Sequence, residues 1–381
     1  MLNRAKKVKY IGYEIEANRM EFFYEIDGQK TSVLLMAKRF QFTLDKVNDK
    51  IAYYLGYSYL IDIIHMVFPE KVEAMYRPPG KEFWDNMITN VVGEALIRWD
   101  APASILRDIK FEFQGTAPDY EVPLDCTFID NSCLVPIGGG KDSIVTYELA
   151  KKIYKETFTT SVQAPGHNWD EIAPMIKKLK CIEMFDSYEN MPLLSSFQPI
   201  TSGNAIFNYS MIALLVAREF RTSEIIFGND KSVNNEYEWQ GIFINHMFDK
   251  TPEYRDRLNK FVSENIVEGY NFSSLIENMT GTEVAKELSK YPEYYEHLCS
   301  CNHANIKRYG YNGQCGSCLK CMYTYLCICN AGDKKYANEI FGDMSNHYEL
   351  MEQLVKDEFR DDCFGDLEEC KALIKSLKEE K

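Results

Sequence analysis

The sequence predicts an α/β protein in which a parallel, doubly wound domain follows a smaller α+β domain. From residue 133 onward, apolar strand-like segments alternate with helical segments, which is the order expected of a parallel sheet with helical crossovers. Before residue 125, apolar and polar residues alternate across short turns instead. A cysteine-rich stretch ahead of residue 335 adds the prediction of a metal-binding element at the C-terminal end of the second domain.

The N-terminal domain is predicted to span residues 1–125. Its first stretch, VKYIGYEIEANRMEFFYEIDGQKTSVLLM, alternates apolar and polar residues across two turn signals and predicts an antiparallel meander. Helical segments near 44–67 and 82–98 follow, and then a strand-like segment at 109–115. No catalytic motif is visible in this part of the chain.

The second domain is predicted to span residues 126–335, followed by a helical tail at 336–381. Ligands of such sheets bind beyond the carboxyl ends of the strands, so the loops that follow the strands are the place to look for chemistry. Candidate strands lie at 133–137, 159–164, 181–187 and 224–229, and helical patterns lie at 142–155, 170–179 and 203–220.

Composition and charge narrow the class of partner. The chain has 381 residues and a net charge of −14, and an acidic protein repels nucleic acid as a whole. A small anionic substrate held in a pocket remains compatible with that charge. The basic N-terminus lacks the apolar core of a signal peptide, and charges interrupt the longest apolar stretches. We therefore expect a cytoplasmic protein with no membrane partner, and leave its oligomeric state open.

Three adjacent glycines mark the strongest motif, GGGKDS at residues 138–143. Glycines let backbone N–H groups approach a ligand, and the start of the following helix favours negative charge, so the loop predicts an anion site. The pattern GxxxxGK[ST] fails because Asp142 follows Lys141, and GxGxxG fails as well. The alternative is a glycine-rich turn with an ordinary helix cap.

The motif closely resembles the PP-loop SGGxDS of the ATP pyrophosphatase superfamily, with Gly138 in place of its first serine. This resemblance implies a HUP-like PP-loop domain that binds ATP and retains pyrophosphate as the leaving group, so that a substrate oxygen attacks the α-phosphate. Gly138, Gly139, Gly140 and Lys141 would form the loop. Asp142 would hold magnesium, and Ser143 would donate to a phosphate. The adenosine would lie near Gln163 and Ala164.

Residues 299–321, CSCNHANIKRYGYNGQCGSCLKC, form a cysteine cluster. Four thiolates satisfy a tetrahedral zinc ion, and closely spaced cysteines can reach one ion, so we assign Cys301, Cys315, Cys318 and Cys321 to a structural zinc site. Cys299 or His303 is the substitute for the fourth ligand. The alternatives are an iron–sulfur cluster and merely buried free cysteines. The CxxCxxC form also resembles the zinc site of 7-cyano-7-deazaguanine synthase, another PP-loop enzyme.

Residues 227–251 are dense in polar side chains directly after the fourth predicted strand. Their place at the carboxyl edge of the sheet makes them candidates to face a substrate, and the alternative is a solvated loop. The candidates are Asp230, Lys231, Asn234, Asn245, His246 and Lys250.

Taken in order, the segments of the chain resemble the UDP-N-acetylmuramoyl-L-alanyl-L-glutamate epimerases of the MurL type. The matching stretches are FWDNMITNVVGEALIRW (83–99), GGGKDS (138–143), QPITSGNAIFN (198–208), FGNDKSVNNE (227–236), INHMFDK (244–250), SCNHA (300–304) and CGSCLKC (315–321). These stretches add Asn229 and Thr201 to Asn234 and Asn245 as substrate candidates. Asp230-Lys231 stands where the family has Glu-Arg, and Met247 and Asp249 also depart from its pattern, so the exact substrate stays open.

The resemblance implies inversion of a terminal L-glutamyl residue in peptidoglycan precursor synthesis, with ATP consumed to AMP and pyrophosphate. Adenylation neutralises the carboxylate, so the α-proton becomes acidic enough for a base to remove. His246 is the candidate base, Lys250 or Lys231 its partner, and Asp230 completes the candidate catalytic set.

Two rival functions remain open. A PP-loop ligase or a sulfur- or nitrogen-transfer enzyme would also adenylate its substrate, and three cysteines outside the proposed zinc site, Cys299, Cys363 and Cys370, keep that reading possible. The other rival is a non-catalytic PP-loop module that binds nucleotide or a partner.

Overall fold

A computed structural model describes residues 2–116, 121–163, 169–197, 205–233, 236–299, 301, 314–356 and 364–379. The strands are β1 Lys7–Ile15, β2 Arg19–Ile26, β3 Gln29–Ala37, β4 Lys71–Arg77, β5 Lys110–Thr116, β6 Ser132–Pro136, β7 Glu156–Gln163, β8 Ile182–Tyr188, β9 Glu224–Ile226, β10 Glu236–Trp239, β11 Ile242–Asn245 and β12 Asn271–Ser273. The helices are α1 Lys46–Val67, α2 Lys81–Arg98, α3 Ser104–Asp108, α4 Lys141–Ile153, α5 Trp169–Lys178, α6 Met191–Ser195, α7 Ala205–Glu219, α8 Pro252–Asn265, α9 Gly281–Leu288, α10 Leu319–Asn330, α11 Lys334–Phe341, α12 Tyr348–Leu354 and α13 Leu367–Glu379.

A ten-stranded, mostly parallel sheet runs through the described residues in the order β12-β9-β6-β7-β8-β3-β2-β1-β4-β5. The strands from β12 to β8 are parallel to one another, as the alternation of strands and helices predicted. β10 and β11 form a separate antiparallel hairpin. The mixed α/β class is therefore confirmed.

The N-terminal meander β1-β2-β3 joins the parallel strands directly. β3 pairs antiparallel with β8, in a register that runs from Val33 opposite Tyr188 to Ala37 opposite Met184. The domain boundary near residue 125 stays a prediction, but strands from both sides of it share one sheet. β4 had no separate sequence prediction, and it lies between β1 and β5, parallel to both.

Two hydrophobic cores flank the sheet. α1, α2 and α7 contribute to one of them, together with the inner face of the meander. α1 is buried almost all round, and its first turn is capped by Asp45, whose side chain accepts from the N–H groups of Val47 and Asn48. The second core lies between α4, α5, α9, α10 and the C-terminal helices.

The described part of the predicted tail at 336–381 contains α13, which buries Cys370, Leu373, Ile374 and Leu377. The tail as a separate unit stays a prediction. Among the described helices, none has the length and apolar character needed to cross a bilayer.

A buried polar cluster lies where the meander meets the parallel strands. Asp62 of α1 accepts hydrogen bonds from the Asn208 amide of α7 at 2.8 Å and from the Tyr188 hydroxyl of β8 at 3.2 Å. Asp186 of β8 is 7% exposed. Burial raises the pKa of Asp186 to about 7; the neighbouring Tyr59 hydroxyl opposes this effect and the charge of Asp62 adds to it.

Asp186 should make stability depend on pH. Between its unfolded pKa of about 3.9 and its folded pKa of about 7, the unfolded chain loses the Asp186 proton while the folded chain keeps it, so stability falls as pH rises. We expect Asp186→Asn to stabilise the protein at pH 8 by up to about 4 kcal/mol and to have little effect near pH 4. Urea unfolding at both pH values measures the difference.

Asp130→Asn is the control, because Asp130 is exposed and its replacement should leave the pH dependence as in the wild type. An Asp186→Asn protein whose stability falls between pH 4 and pH 8 as steeply as that of the wild type would contradict the assignment.

Candidate functional site

The glycine loop connects β6 to the start of α4, as predicted. Gly139 has a φ of +83°, a left-handed conformation that favours glycine, and its carbonyl accepts from the Cys299 N–H at 2.9 Å. Gly140 begins the helix without a side-chain cap, and the Ser143 hydroxyl donates to the Gly140 carbonyl at 3.0 Å. The first N–H groups of α4 are therefore not satisfied by a capping side chain, which suits an anion.

Gly228, which follows β9, packs against the backbone of this first helical turn. A Cβ at Gly228 would lie 2.8 Å from the Asp142 carbonyl carbon and 3.0 Å from the Ser143 nitrogen. Any side chain there would push the segment after β9 away from α4. The polar residues that follow β9 are thus held directly against the glycine loop.

Lys141 is the buried charge at the centre of the site. Its Nζ lies 2.5 Å from Asp142 Oδ1 and 3.5 Å from Asp230 Oδ2. Burial alone would lower the pKa of Lys141, but the charges of Asp142 and Asp230 outweigh it and raise that pKa. The Tyr323 ring also lies under Lys141, 5.8 Å from Nζ to the ring centroid. Lys141 therefore stays a cation.

The two carboxylates differ in exposure and in partners. Asp230 is buried, and its Oδ1 accepts from both the N–H and the hydroxyl of Ser232. The Asp142 side chain is 37% exposed. Burial of the charged form and the neighbouring Asp230 raise the pKa of Asp142, against the opposing effect of Lys141. Asp142 is thus the carboxylate that a solvent-borne cation can reach.

A cavity of about 100 Å³ opens over this group. Three lysines, Lys141, Lys250 and Lys320, surround it together with the two carboxylates. That volume fits part of a ligand, such as a phosphate group, rather than a whole nucleotide. The cavity is lined by Lys141, Asp142, Gly228, Asn229, Asp230, Ser232, Val233, Met247, Lys250, Lys320, Tyr323, Thr324 and Phe364.

The structure gathers part of the predicted site at this cavity. Asn229, Asp230 and Lys250 line it together with Lys141 and Asp142 of the glycine loop.

Other predicted residues lie elsewhere. Lys231 is exposed and does not line the cavity. Its positive charge contributes to lowering the pKa of Glu283, after the hydrogen bonds from Thr280. The Gln163 side chain instead donates a hydrogen bond to Glu183, with 3.3 Å between Gln163 Nε2 and Glu183 Oε2. Five of the predictions concern residues outside the described part of the chain: Ala164, Thr201, Asn234, His303 and Cys363.

Asn245 and His246 face other partners. Asn245 lines a second cavity of about 370 Å³, and its side chain donates to the Val233 carbonyl and accepts from the Met247 N–H. His246 Nδ1 lies 2.8 Å from Glu94 Oε1 of α2. His246 is absent from the described lining of the smaller cavity, whereas Met247 and Lys250 are part of it.

Glu94 is shared between His246 and Arg98. The Arg98 guanidinium donates to Glu94 Oε1 from Nε at 2.9 Å and from a terminal nitrogen at 2.6 Å. Burial would raise the pKa of Glu94, but the nearby His246 ring and the charges of His246 and Arg98 lower it. Glu94 is therefore an ionised partner at the Nδ1 edge of the imidazole.

The four predicted cysteines converge. The ligand atoms of Cys301, Cys315, Cys318 and Cys321 all lie within 4.8 Å of one another, with 3.9 Å between the sulfurs of Cys301 and Cys318 and 3.8 Å between those of Cys315 and Cys321. Backbone N–H groups donate to three of the sulfurs at 3.4 Å, which favours thiolates. This group could hold a metal ion.

Several lining residues carry no sequence signal of their own. Lys320 and Tyr323 follow Cys318 on α10, where the cysteines dominate the pattern. Tyr323 donates from its hydroxyl to Glu369 of α13 at 2.9 Å. Phe364, just ahead of α13, also lines the cavity. The C-terminal helices thus close one side of a site that begins at the glycine loop.

Comparison with known families and proteins agrees with the segment-by-segment resemblance. A family model described as the MurL N-terminal domain matches residues 2–179, which include the meander and the glycine loop. The chain is 25% identical over 223 residues to a UDP-N-acetyl-alpha-D-muramoyl-L-alanyl-L-glutamate epimerase of Micromonospora, and the alignment covers 56% of this chain and 48% of that protein. The epimerase of the same name from Xanthomonas oryzae is 24% identical over 219 residues, covering 55% and 47%.

A third epimerase of that name, from Salinispora tropica, is 24% identical over 217 residues. The chain spans about half the length of the curated relatives it matches. Residues 2–179 thus resemble the MurL N-terminal domain, and about 55% of the chain is similar to part of these epimerases.

Proposed function

We propose that the protein is an ATP-dependent epimerase that adenylates a terminal glutamyl carboxylate and inverts its α-carbon. The observation that carries the proposal is the cavity at the start of α4, which three lysines and two carboxylates line directly after the glycine loop. Relatives named as UDP-N-acetyl-alpha-D-muramoyl-L-alanyl-L-glutamate epimerases support the reaction type and the substrate class. That muramoyl dipeptide, or a close relative of it, is the proposed substrate.

In this proposal the glycine loop and Lys141 bind the β- and γ-phosphates of ATP. The first N–H groups of α4 and the buried Lys141 supply positive charge without mobile solvent, which stabilises pyrophosphate as it leaves. Asp142 and Asp230 offer the hard oxygen ligands that magnesium prefers. Magnesium bound there would neutralise the phosphate oxygens.

Adenylation removes the negative charge of the carboxylate, which otherwise opposes loss of the α-proton. A free carboxylate makes its α-proton a very weak acid, because removal of that proton would place two negative charges side by side. A carboxylate oxygen attacks the α-phosphorus and pyrophosphate leaves, so that a mixed anhydride forms in which the carboxyl group itself no longer carries a charge. A base then takes the α-proton, a proton returns on the opposite face, and water releases AMP.

His246 remains the proposed base, and Glu94 supports that role. A carboxylate on Nδ1 fixes the neutral imidazole tautomer that leaves Nε2 as the acceptor, and it stabilises the imidazolium formed after proton transfer. Lys250, which lines the cavity, is the proposed partner in proton transfer or enolate stabilisation. Both residues lie on the segment that follows the β10–β11 hairpin.

The four-cysteine group is proposed to bind structural zinc. Four sulfurs at about 2.3 Å from one tetrahedral ion are separated by about 3.8 Å, which matches the separations of 3.9 Å between Cys301 and Cys318 and 3.8 Å between Cys315 and Cys321. In an iron–sulfur cluster the thiolates bind different irons and stand further apart. The geometry therefore favours one ion, and four thiolates leave it no open position for chemistry.

Substitution of Asp142, with deuterium incorporation and pyrophosphate release as the readouts, tests the proposed function. With the muramoyl dipeptide, ATP and magnesium in D2O, the wild type should release pyrophosphate and label the glutamyl α-carbon with deuterium. Asp142→Asn should lower both rates by about 100-fold or more, because it removes a magnesium ligand from the leaving-group site. Mass spectrometry and a pyrophosphate assay measure the two rates.

Lys152→Gln, on the exposed end of α4, is the matched control and should keep both rates. Pyrophosphate release without deuterium would refute the epimerase, and dependence on ammonia or a sulfur donor would favour the ligase. No pyrophosphate release with any carboxylate acceptor would favour the binding module.

Metal analysis tests the cysteine centre. Cys315→Ser should lower the zinc content from about one ion per chain and lower the melting temperature, because a structural site contributes directly to folding. Cys329→Ala, also buried and on α10, is the control and should keep the zinc. Iron and sulfide in the purified protein, or full zinc content in Cys315→Ser, would contradict the assignment.

Glu94→Gln tests the proposed base. Loss of the carboxylate should reduce the deuterium-labelling rate by about tenfold or more and shift its pH profile, while ATP binding stays unchanged. Glu82→Gln, exposed on the same helix, should have no effect. If both Glu94→Gln and His246→Asn label substrate at the wild-type rate, His246 is not the base.

A further inference from the structure

We propose that Lys320 is a second phosphate-binding lysine of the site, beside Lys141, and that the four-cysteine centre is what positions it. The proposal rests on the proposed nucleotide function and adds a positioning role for the metal. It joins two features that are separate in the sequence, the glycine loop and the cysteine cluster. Each step of the argument comes from the first turns of α10.

The first turns of α10 present two faces. Lys320, Tyr323 and Thr324 are spaced three and four residues apart, which places them on one side of the helix, and all three line the cavity. Cys318 and Cys321 are three residues apart on a neighbouring side and belong to the four-cysteine group. One short stretch of helix therefore contacts both the cavity and the cysteine centre.

The cysteines determine where the helix begins. Cys318 is the N-cap residue, and its sulfur accepts from the Cys321 N–H at 3.4 Å. Cys315 and Cys301 bring the preceding loop to the same point. An ion that binds all four sulfurs therefore fixes the start of α10, and Lys320 lies within that first turn.

Lys320 faces the charges of the glycine loop. Its positive charge is one of the causes that oppose the burial-driven rise in the pKa of Asp142. Lys141 is already paired with Asp142 and Asp230, so part of its charge is neutralised inside the protein. Lys320 reaches the cavity from a different helix, α10, where it can contact phosphate oxygens that Lys141 does not.

The predicted consequence is a coupling between metal and nucleotide. Without the ion, the cysteines no longer hold the first turn of α10, so the Lys320 ammonium is no longer held at the cavity. Nucleotide affinity should then fall even though Lys141, Asp142 and the glycine loop are intact. The metal would act on ATP binding through the position of Lys320, with no contact to the phosphates.

Calorimetric titration of ATP with magnesium, in the absence of an acceptor, tests this on four proteins: wild type and Lys320→Ala, each metal-loaded and metal-depleted. We expect Lys320→Ala to weaken binding by about 10- to 100-fold in the loaded protein. Metal depletion should weaken ATP binding by the wild type by a similar factor. In Lys320→Ala, depletion should weaken ATP binding further by less than about threefold. Lys335→Ala, exposed on α11, should bind as the wild type does.

Two outcomes overturn the proposal: unchanged affinity in loaded Lys320→Ala, or an equal loss on depletion in both backgrounds. Lys320→Arg should keep most of the affinity, since it retains the charge. Circular dichroism of the metal-depleted proteins at the titration temperature shows whether depletion unfolds them. If it does, the ATP affinities of the metal-loaded variants decide the role of Lys320. Failure of the wild type to bind ATP would instead refute the proposed function.

Discussion

The buried ammonium of Lys141 is the interaction on which the site depends. A buried charge without partners would cost several kcal/mol, so the fold must bring carboxylates to it. Asp142 is its neighbour on α4, but Asp230 comes from the segment after β9 and lies 3.5 Å away. Pairing Lys141 therefore requires that two parallel strands end at the same edge, with Gly228 in contact with the helix backbone.

The continuous sheet supports this arrangement from the other side. Because β3 pairs with β8, the meander and the parallel strands form one sheet. α2 can therefore bring Glu94 to His246, a contact between residues more than 150 positions apart. The resemblance to MurL-type epimerases extends over both parts, and residues 2–179 match the family's N-terminal domain.

The C-terminal helices complete the site from a third direction. Tyr323 lies under Lys141 and donates to Glu369, so α13 supports the part of α10 that lines the cavity. Burial raises the pKa of Glu369, and the neighbouring Asp230 adds to that rise while Tyr323 opposes it. The cysteine group lies at the beginning of the same α10 helix. Metal binding and the cavity wall are thus properties of one structural unit.

The sequence by itself determined the features that depend on local pattern. Apolar strands followed by amphipathic helices predicted the parallel sheet, and GGGKDS and the spaced cysteines marked the loop and the possible metal site. Strand β12, three residues long, is too short to show a period.

Only the tertiary structure decided which side chains meet. The joining of β3 to β8, the contact of His246 with Glu94, and the arrival of Lys320 at the cavity all link distant segments. Such contacts leave no periodic signal in the chain, because they arise from sheet register and helix packing and not from the conformational preferences of neighbouring residues.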